Sequence, residues 1–112
     1  MSKIKLVLVC IVCLLTVTAF SQKDVKISEI KIKTSAQCDM CKERIEKNLS
    51  KEAGIKSVVV DIKTKVVTVK YLADKTNAAK IKGAISKSGY DADETKADQA
   101  AYAKLPACCK KN

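Results

Sequence analysis

The chain has 112 residues, with 22 Lys plus Arg against 12 Asp plus Glu, a formal net charge of +10, six cysteines and no histidine. That length serves one compact domain and is short for two. Without histidine, neither a Ser/His/Asp nor a Cys/His nucleophile can be assembled, and any transition-metal site must rest on thiolates, helped at most by methionine or carboxylates.

Lys3 and Lys5 precede a continuously apolar run from Leu6 to Leu15. A run of about ten residues fits the core of a secretory signal, whereas a membrane-spanning helix needs roughly 20. Ala19-Phe20-Ser21 places small residues where a signal peptidase reads them, so residues 1–21 are expected to be a signal peptide and Gln22 the mature N-terminus. An uncleaved anchor is the alternative. Cys10 and Cys13 would admit a lipoprotein box, but Val9 and Val12 precede them where that box wants a small residue.

Loss of the leader removes Lys3 and Lys5 and no acid, which lowers the net charge from +10 to +8. It also leaves four cysteines, Cys38, Cys41, Cys108 and Cys109. The lysines are scattered and aromatic residues are few, so the basic excess reads as a solvated surface weakly favouring anionic partners, with no nucleic-acid target. The protein is expected outside the cytoplasm, periplasmic or secreted, meeting a membrane only during export.

Ile30, Ile32 and Thr34 alternate with Lys31 and Lys33, the period of a half-buried strand. Val25 and Ile27 lie out of phase, which predicts a late start or a bulge. Cys41, Ile45 and Leu49 then recur every four residues and predict a helix from about Cys41 to Lys51, with Lys42, Glu43, Glu46 and Lys47 outside and Gly54 as its stop. Val58, Val60 and Ile62, then Val67, Val69 and Tyr71, mark the inward faces of two further strands. They are joined at Lys63-Thr64-Lys65 by a turn without glycine.

Asp74 or Thr76 is positioned to cap a second helix with an apolar stripe of Ala78, Ile81, Ala84 and Ile85, ended by Gly89. Tyr90 to Glu94 is expected as a short fourth strand. The order strand, helix, strand, strand, helix, strand is that of an α+β ferredoxin-like βαββαβ sandwich, both helices on one face of an antiparallel sheet. Residues 25–94 are assigned to this domain. Residues 95–112 form a tail with a short Ala-rich helix over Ala97 to Lys104, then Pro106 and Cys108-Cys109.

Cys38-Asp39-Met40-Cys41 is the chemical centre. Two cysteines at this spacing, the first on a loop and the second opening a helix, give the bite of a soft-metal site. The helix N-terminus favours the thiolate, and Lys42 and Arg44 add positive charge. With no third strong ligand in the loop, a two-coordinate site suits a monovalent soft ion such as Cu(I). A disulfide between Cys38 and Cys41, or a thioredoxin-type redox pair, are the competing readings. A thioredoxin-like chain would be longer and carry a proline facing the motif, and the one proline, Pro106, lies in the tail.

From about Ile30 to Ala92 the chain resembles the heavy-metal-associated domain family of copper chaperones, N-terminal domains of metal-transporting ATPases and a periplasmic mercury-binding protein. The resemblance rests on Thr34 to Cys41, Gly54-Ile55-x-x-Val58, Val60-Asp61, Val67-Thr68-Val69 and Gly89-Tyr90-Asp91-Ala92. It implies that Cys38 and Cys41 bind metal: Cu(I) first, with Hg(II), Zn(II) or Cd(II) as the others. It also implies a metal-transporting ATPase or another acceptor protein as partner. The family's bacterial members often place a tyrosine beside the site, which would be Tyr90, otherwise a half-buried core aromatic. The family's usual methionine two residues before the first cysteine is Ala36 here, and Met40 is expected exposed or packed rather than ligating. The expected function is that of a metallochaperone or scavenger rather than an enzyme, with a thiol–disulfide redox protein and a purely structural domain as alternatives.

The tail lies outside the usual family domain. A fourth strand over residues 90–94 would lead about 16 Å away from the metal loop, and a helix of about ten residues would return about 15 Å. Docked through Ala97, Ala100, Ala101 and Leu105, that helix would bring Cys108 and Cys109 level with Cys38 and Cys41. There they would serve as extra thiolates or as a covering disulfide partner. The alternative is an unattached tail that binds nothing.

Overall fold

A computed structural model describes residues 26–110. The expected signal segment, with Cys10 and Cys13, and Val25 lie outside the described residues. Alternating side chains build strands β1 (Ile27–Lys33), β2 (Ile55–Asp61) and β3 (Val66–Leu72), an antiparallel sheet in the order β1-β3-β2. The register aligns Ile32, Val67 and Val60 in one row and Ile30, Val69 and Val58 in the next. Both rows face the helices, while Val59, one residue out of phase, is exposed. β1 starts at Ile27 in unbroken register with Leu72, so it is neither late nor bulged; Ile27 simply points outward. The irregularity falls instead in β2, between Ile55 and Ser57.

The four-residue spacing of Cys41, Ile45 and Leu49 becomes the buried stripe of α1 (Asp39–Ser50). Ile81 and Ile85 are the buried residues of α2 (Ala78–Lys87). These five side chains join Ile32, Val60, Val67 and Val69 in one core, the ferredoxin-like α+β arrangement. Two expected stops and caps are corrected. α1 ends at Ser50, ahead of Gly54, whose positive φ of 84° serves the turn into β2. The cap of α2 is Asn77, whose side chain accepts from the Lys80 N–H, rather than Asp74 or Thr76. Nor is Glu46 purely outward, since its carboxylate accepts from the Val60 N–H at 3.0 Å on the edge strand.

The glycine-free hairpin is closed by Asp61, whose carboxylate accepts from the Lys63 and Thr64 N–H groups, while Lys65 takes a left-handed φ of 58°. The expected fourth strand shrinks to single bridges, Thr34 with Ala92 and Ala92 with Thr95. Asp93, at a φ of 51°, turns the chain back before a ladder can form, and its N–H and carboxylate are both used on the Lys33 backbone.

The tail helix is also shorter than expected: α3 covers Gln99–Ala103, capped by Asp98, and a 3-10 turn follows at Ala107–Cys109. Leu105 is buried and Tyr102 packs against the core, whereas Ala100 is exposed. Of the expected docking residues Leu105 is buried and Ala97 and Ala101 are half-buried, so the correction is confined to Ala100, and Tyr102 is the contact the expectation lacked.

Candidate metal centre

α1 begins at Cys38, which occupies the N-cap position in extended conformation, and Cys41 lies in the first turn. The first turn of a helix leaves backbone N–H groups unpaired and carries the positive end of the helix dipole. Burial opposes ionisation of Cys38. The backbone amides of Cys41 and Met40 and the neighbouring Cys108 thiol outweigh it, and the Cys38 pKa lies below the ordinary thiol value. Cys38 Sγ and Cys41 Sγ are 3.2 Å apart, the first half-buried and the second without exposure.

The tail sulfurs arrive at the same place. Cys38 Sγ lies 3.2 Å from Cys108 Sγ and 3.6 Å from Cys109 Sγ. Cys41 and Cys109 are paired sulfur to sulfur as a disulfide, with Cα atoms 5.8 Å apart, and Cys38 and Cys108 are the free thiols among the described residues. The hydrogen bond to Cys38, followed by desolvation, raises the Cys108 pKa. Cys108 donates to Met40 Sδ at 3.8 Å, and Met40 is half exposed, in line with its expected exposure.

Tyr90 reaches this cluster through a helix stop. Gly89, at a φ of 101°, donates to the Ser86 carbonyl and Tyr90 to the Ile85 carbonyl, the paired bonds of a Schellman motif. The Asp91 N–H then donates to Ser35 Oγ, tying this loop to the one leading into Cys38. Tyr90 is fully buried rather than half-buried, and its hydroxyl has no hydrogen-bond partner among the described residues. Burial raises its pKa, opposed by the Arg44 guanidinium and reinforced by the nearby Cys38 and Cys108.

Arg44 Nε is likewise buried without a partner. Of the two cations expected at the helix start, Arg44 is the one drawn to Tyr90 and Cys108. The signal for this lies in its spacing, three residues past Cys41 on the same helical face. Unpaired buried donors are rare and point to an acceptor. Soft thiolates with O–H and N–H donors beside them fit a soft cation, whose thiolate complex carries excess negative charge.

Tyr90→Phe should leave apo stability unchanged or slightly raised, because it deletes an unpartnered group. Metal affinity should fall roughly 10- to 100-fold if the hydroxyl serves a ligating sulfur. Parallel denaturant and metal-competition titrations check this; unaltered affinity would make Tyr90 a core aromatic alone.

Residues 32–91 match the family model described as "Heavy-metal-associated domain". The copper-exporting P-type ATPase of Staphylococcus aureus (strain JH9) is 39% identical over 59 residues, covering 53% of this chain and 7% of the ATPase. This chain therefore parallels only a small part of that relative. Among solved structures, the water-soluble region of the P-type ATPase CopA from Bacillus subtilis superposes with a TM-score of 0.59 at 32% identity, covering 62% of this chain and 47% of that one. A CopZ metallochaperone superposes with a TM-score of 0.57 at 29% identity, covering 58% of this chain and 98% of its own.

Proposed function

Because the chain belongs to the heavy-metal-associated domain family, we propose that it binds a soft metal ion, Cu(I) first, through Cys38 and Cys41. In this reading it acts outside the cytoplasm as a metallochaperone or scavenger rather than as an enzyme. The carrying observation is the cysteine pair at the start of α1, with Cys38 Sγ 3.2 Å from Cys41 Sγ. The copper-exporting ATPase and the metallochaperone among its relatives support copper as cargo and a metal-transporting ATPase as acceptor. Hg(II), Zn(II) or Cd(II) are the other cargoes this donor set admits. Anaerobic titration of reduced protein against a chromophoric Cu(I) chelator tests the reading, with one tightly held Cu(I) per chain expected. No binding beyond that of an unfolded control would sink it.

A thiol–disulfide redox role is the second reading, favoured by the pairing of Cys41 with Cys109 beside a Cys38 of lowered pKa. A thiol count on protein isolated without reductant, with and without chelator, separates the two. Metal-protected thiols that chelator releases support cargo binding, whereas a chelator-insensitive disulfide supports redox work.

Export is proposed on the basic start, the apolar run and Ala19-Phe20-Ser21. The mature protein is expected to begin at Gln22, as read by intact mass. Residues 1–21 retained in a membrane fraction would overturn this.

A further inference from the structure

The fold brings together sulfurs from two regions about 70 residues apart. Cys38 Sγ lies 3.2 Å from Cys41, 3.2 Å from Cys108 and 3.6 Å from Cys109. Cys108 and Cys109 are 4.0 Å apart, and Cys41 touches Cys109. A tetrahedron with metal–sulfur bonds of about 2.3 Å has sulfur–sulfur edges of about 3.8 Å. Four of these separations, 3.2 to 4.0 Å, fall around that edge, and the sulfurs of Cys38, Cys108 and Cys109 all lie within 4.8 Å of one another. Once the Cys41–Cys109 bond is opened, rotation of the Cys41 side chain would bring the fourth sulfur to the same centre.

The tail is packed to this place rather than laid over it by chance. Leu105 and Cys109 belong to the same core as Ile45, and the 3-10 turn is closed by the Cys109 N–H donating to the Pro106 carbonyl. It directs Cys109 inward and leaves Cys108 exposed, yet both sulfurs reach Cys38. Beside them, Tyr90 Oη and Arg44 Nε are buried donors with no hydrogen-bond partner among the described residues. Four thiolates around a divalent ion carry two excess negative charges, which such donors would offset.

We propose that Cys38, Cys41, Cys108 and Cys109 form a single four-thiolate site in the reduced protein, and that it takes a divalent d10 cation of the zinc and cadmium class in tetrahedral coordination. The inference rests on the reading of Cys38 and Cys41 as metal ligands and adds the tail as the other half of the shell. With Cys41 and Cys109 joined, neither can ligate. A dithiol reductant that passes two electrons and two protons to the pair, becoming a disulfide itself, frees both sulfurs, and the incoming cation displaces the thiol protons.

The test uses the full chain, reduced and freed of reductant without oxygen, with Cd(II), Zn(II) and Cu(I) as probes. In Cd(II)-loaded protein, peptide mass spectrometry after alkylation should find Cys38, Cys41, Cys108 and Cys109 all protected. Cys108→Ser alters an exposed side chain and should keep the fold. It should weaken Cd(II) and Zn(II) by more than the roughly 10- to 100-fold that loss of an outer hydrogen-bond partner costs, and Cu(I) far less. Cys109→Ala should do the same, with circular dichroism reporting on its fold. Protection of Cys38 and Cys41 alone, with Cd(II) affinity unchanged in Cys108→Ser, would overturn the four-thiolate site and leave the two-thiolate reading standing. Unchanged Cu(I) affinity in Cys38→Ser would instead overturn the two-thiolate reading itself, and the four-thiolate site with it.

Discussion

Cys38→Ser is expected to lower Cu(I) affinity by more than roughly 100-fold, beyond what loss of an outer-shell hydrogen bond costs, while leaving the fold intact or firmer. A serine hydroxyl is a hard, neutral donor and does not replace a thiolate toward a soft ion. As a helix cap the change works in the opposite direction. Cys38 makes no side-chain capping bond at the start of α1. Serine is among the preferred caps, and such a bond contributes about 1 kcal/mol. Metal affinity and helix stability should therefore move oppositely in one variant, which a general loss of structure cannot imitate. Cys41 is fully buried, so Cys41→Ala is the cleaner partner experiment, because a serine hydroxyl there would cost about 1–3 kcal/mol if left unbonded. Competition titration and chemical denaturation on the same samples give both readings. Affinity unchanged in either variant would remove that residue from the site.

Ile45→Ala should be a severely damaging truncation in the core, costing about 2–5 kcal/mol. Ile45 has no exposure and lies one helical turn beyond Cys41, in the cluster that includes Val60, Ile85 and Leu105. Small domains have about 5–15 kcal/mol of stability in total, so the loss would be a large fraction. Urea denaturation of apo protein reads it as a lower midpoint with an unchanged slope. A cost below about 1 kcal/mol would mean that the site relaxes around the missing atoms. In that case α1 must be held mainly by Leu49 and the polar contacts of its outer side. The proposed metal pair depends on this anchor, since Cys38 and Cys41 keep their spacing only while the first turn of α1 persists.

The parts of this fold legible in the sequence are those with strict periodicity. Ile30 and Ile32, Val58 and Val60, Val67 and Val69, and the four-residue series Cys41, Ile45, Leu49 all face the core as the alternations and spacings predict. The fourth strand was not legible in this way. Tyr90 and Ala92 are buried, but Asp93 adopts a left-handed conformation and Thr95 folds back on Ala92. Nothing in five short residues separates such a turn from a strand. The α2 cap shows a similar limit. Asp74, Thr76 and Asn77 are all chemically able, and the choice of Asn77 follows from where the turn after β3 releases the chain.

At the site, Cys38 and Cys41 are marked by spacing alone. The return of Cys108 and Cys109 could be framed as a distance argument, although the route differs. The chain turns at Asp93 and docks through Leu105 rather than traversing a strand and a long alanine helix. Long-range approaches of this kind, Cys109 onto Cys41 and Tyr90 into the neighbourhood of Arg44, have no periodic trace. They depend on how the ends of several elements meet.

The packing of Gly89 has a consequence for how fast cargo could leave. A side chain at Gly89 would meet the Ala101 carbonyl and the Leu105 side chain at 3.2 Å, so the tail lies directly on the backbone of the α2 stop. Held there, the tail thiols act at an effective concentration set by geometry, which for short tethers reaches the millimolar range. An acceptor's cysteines would have to displace ligands that rebind faster than a free competitor can arrive. Cys108 is the exposed member and Cys41 and Cys109 the buried ones, so exchange would begin at Cys108 and finish inside. Gly89→Ala, by straining the helix stop at its φ of 101° and lifting the tail, would then shorten the residence time of a bound ion without changing any ligand's identity.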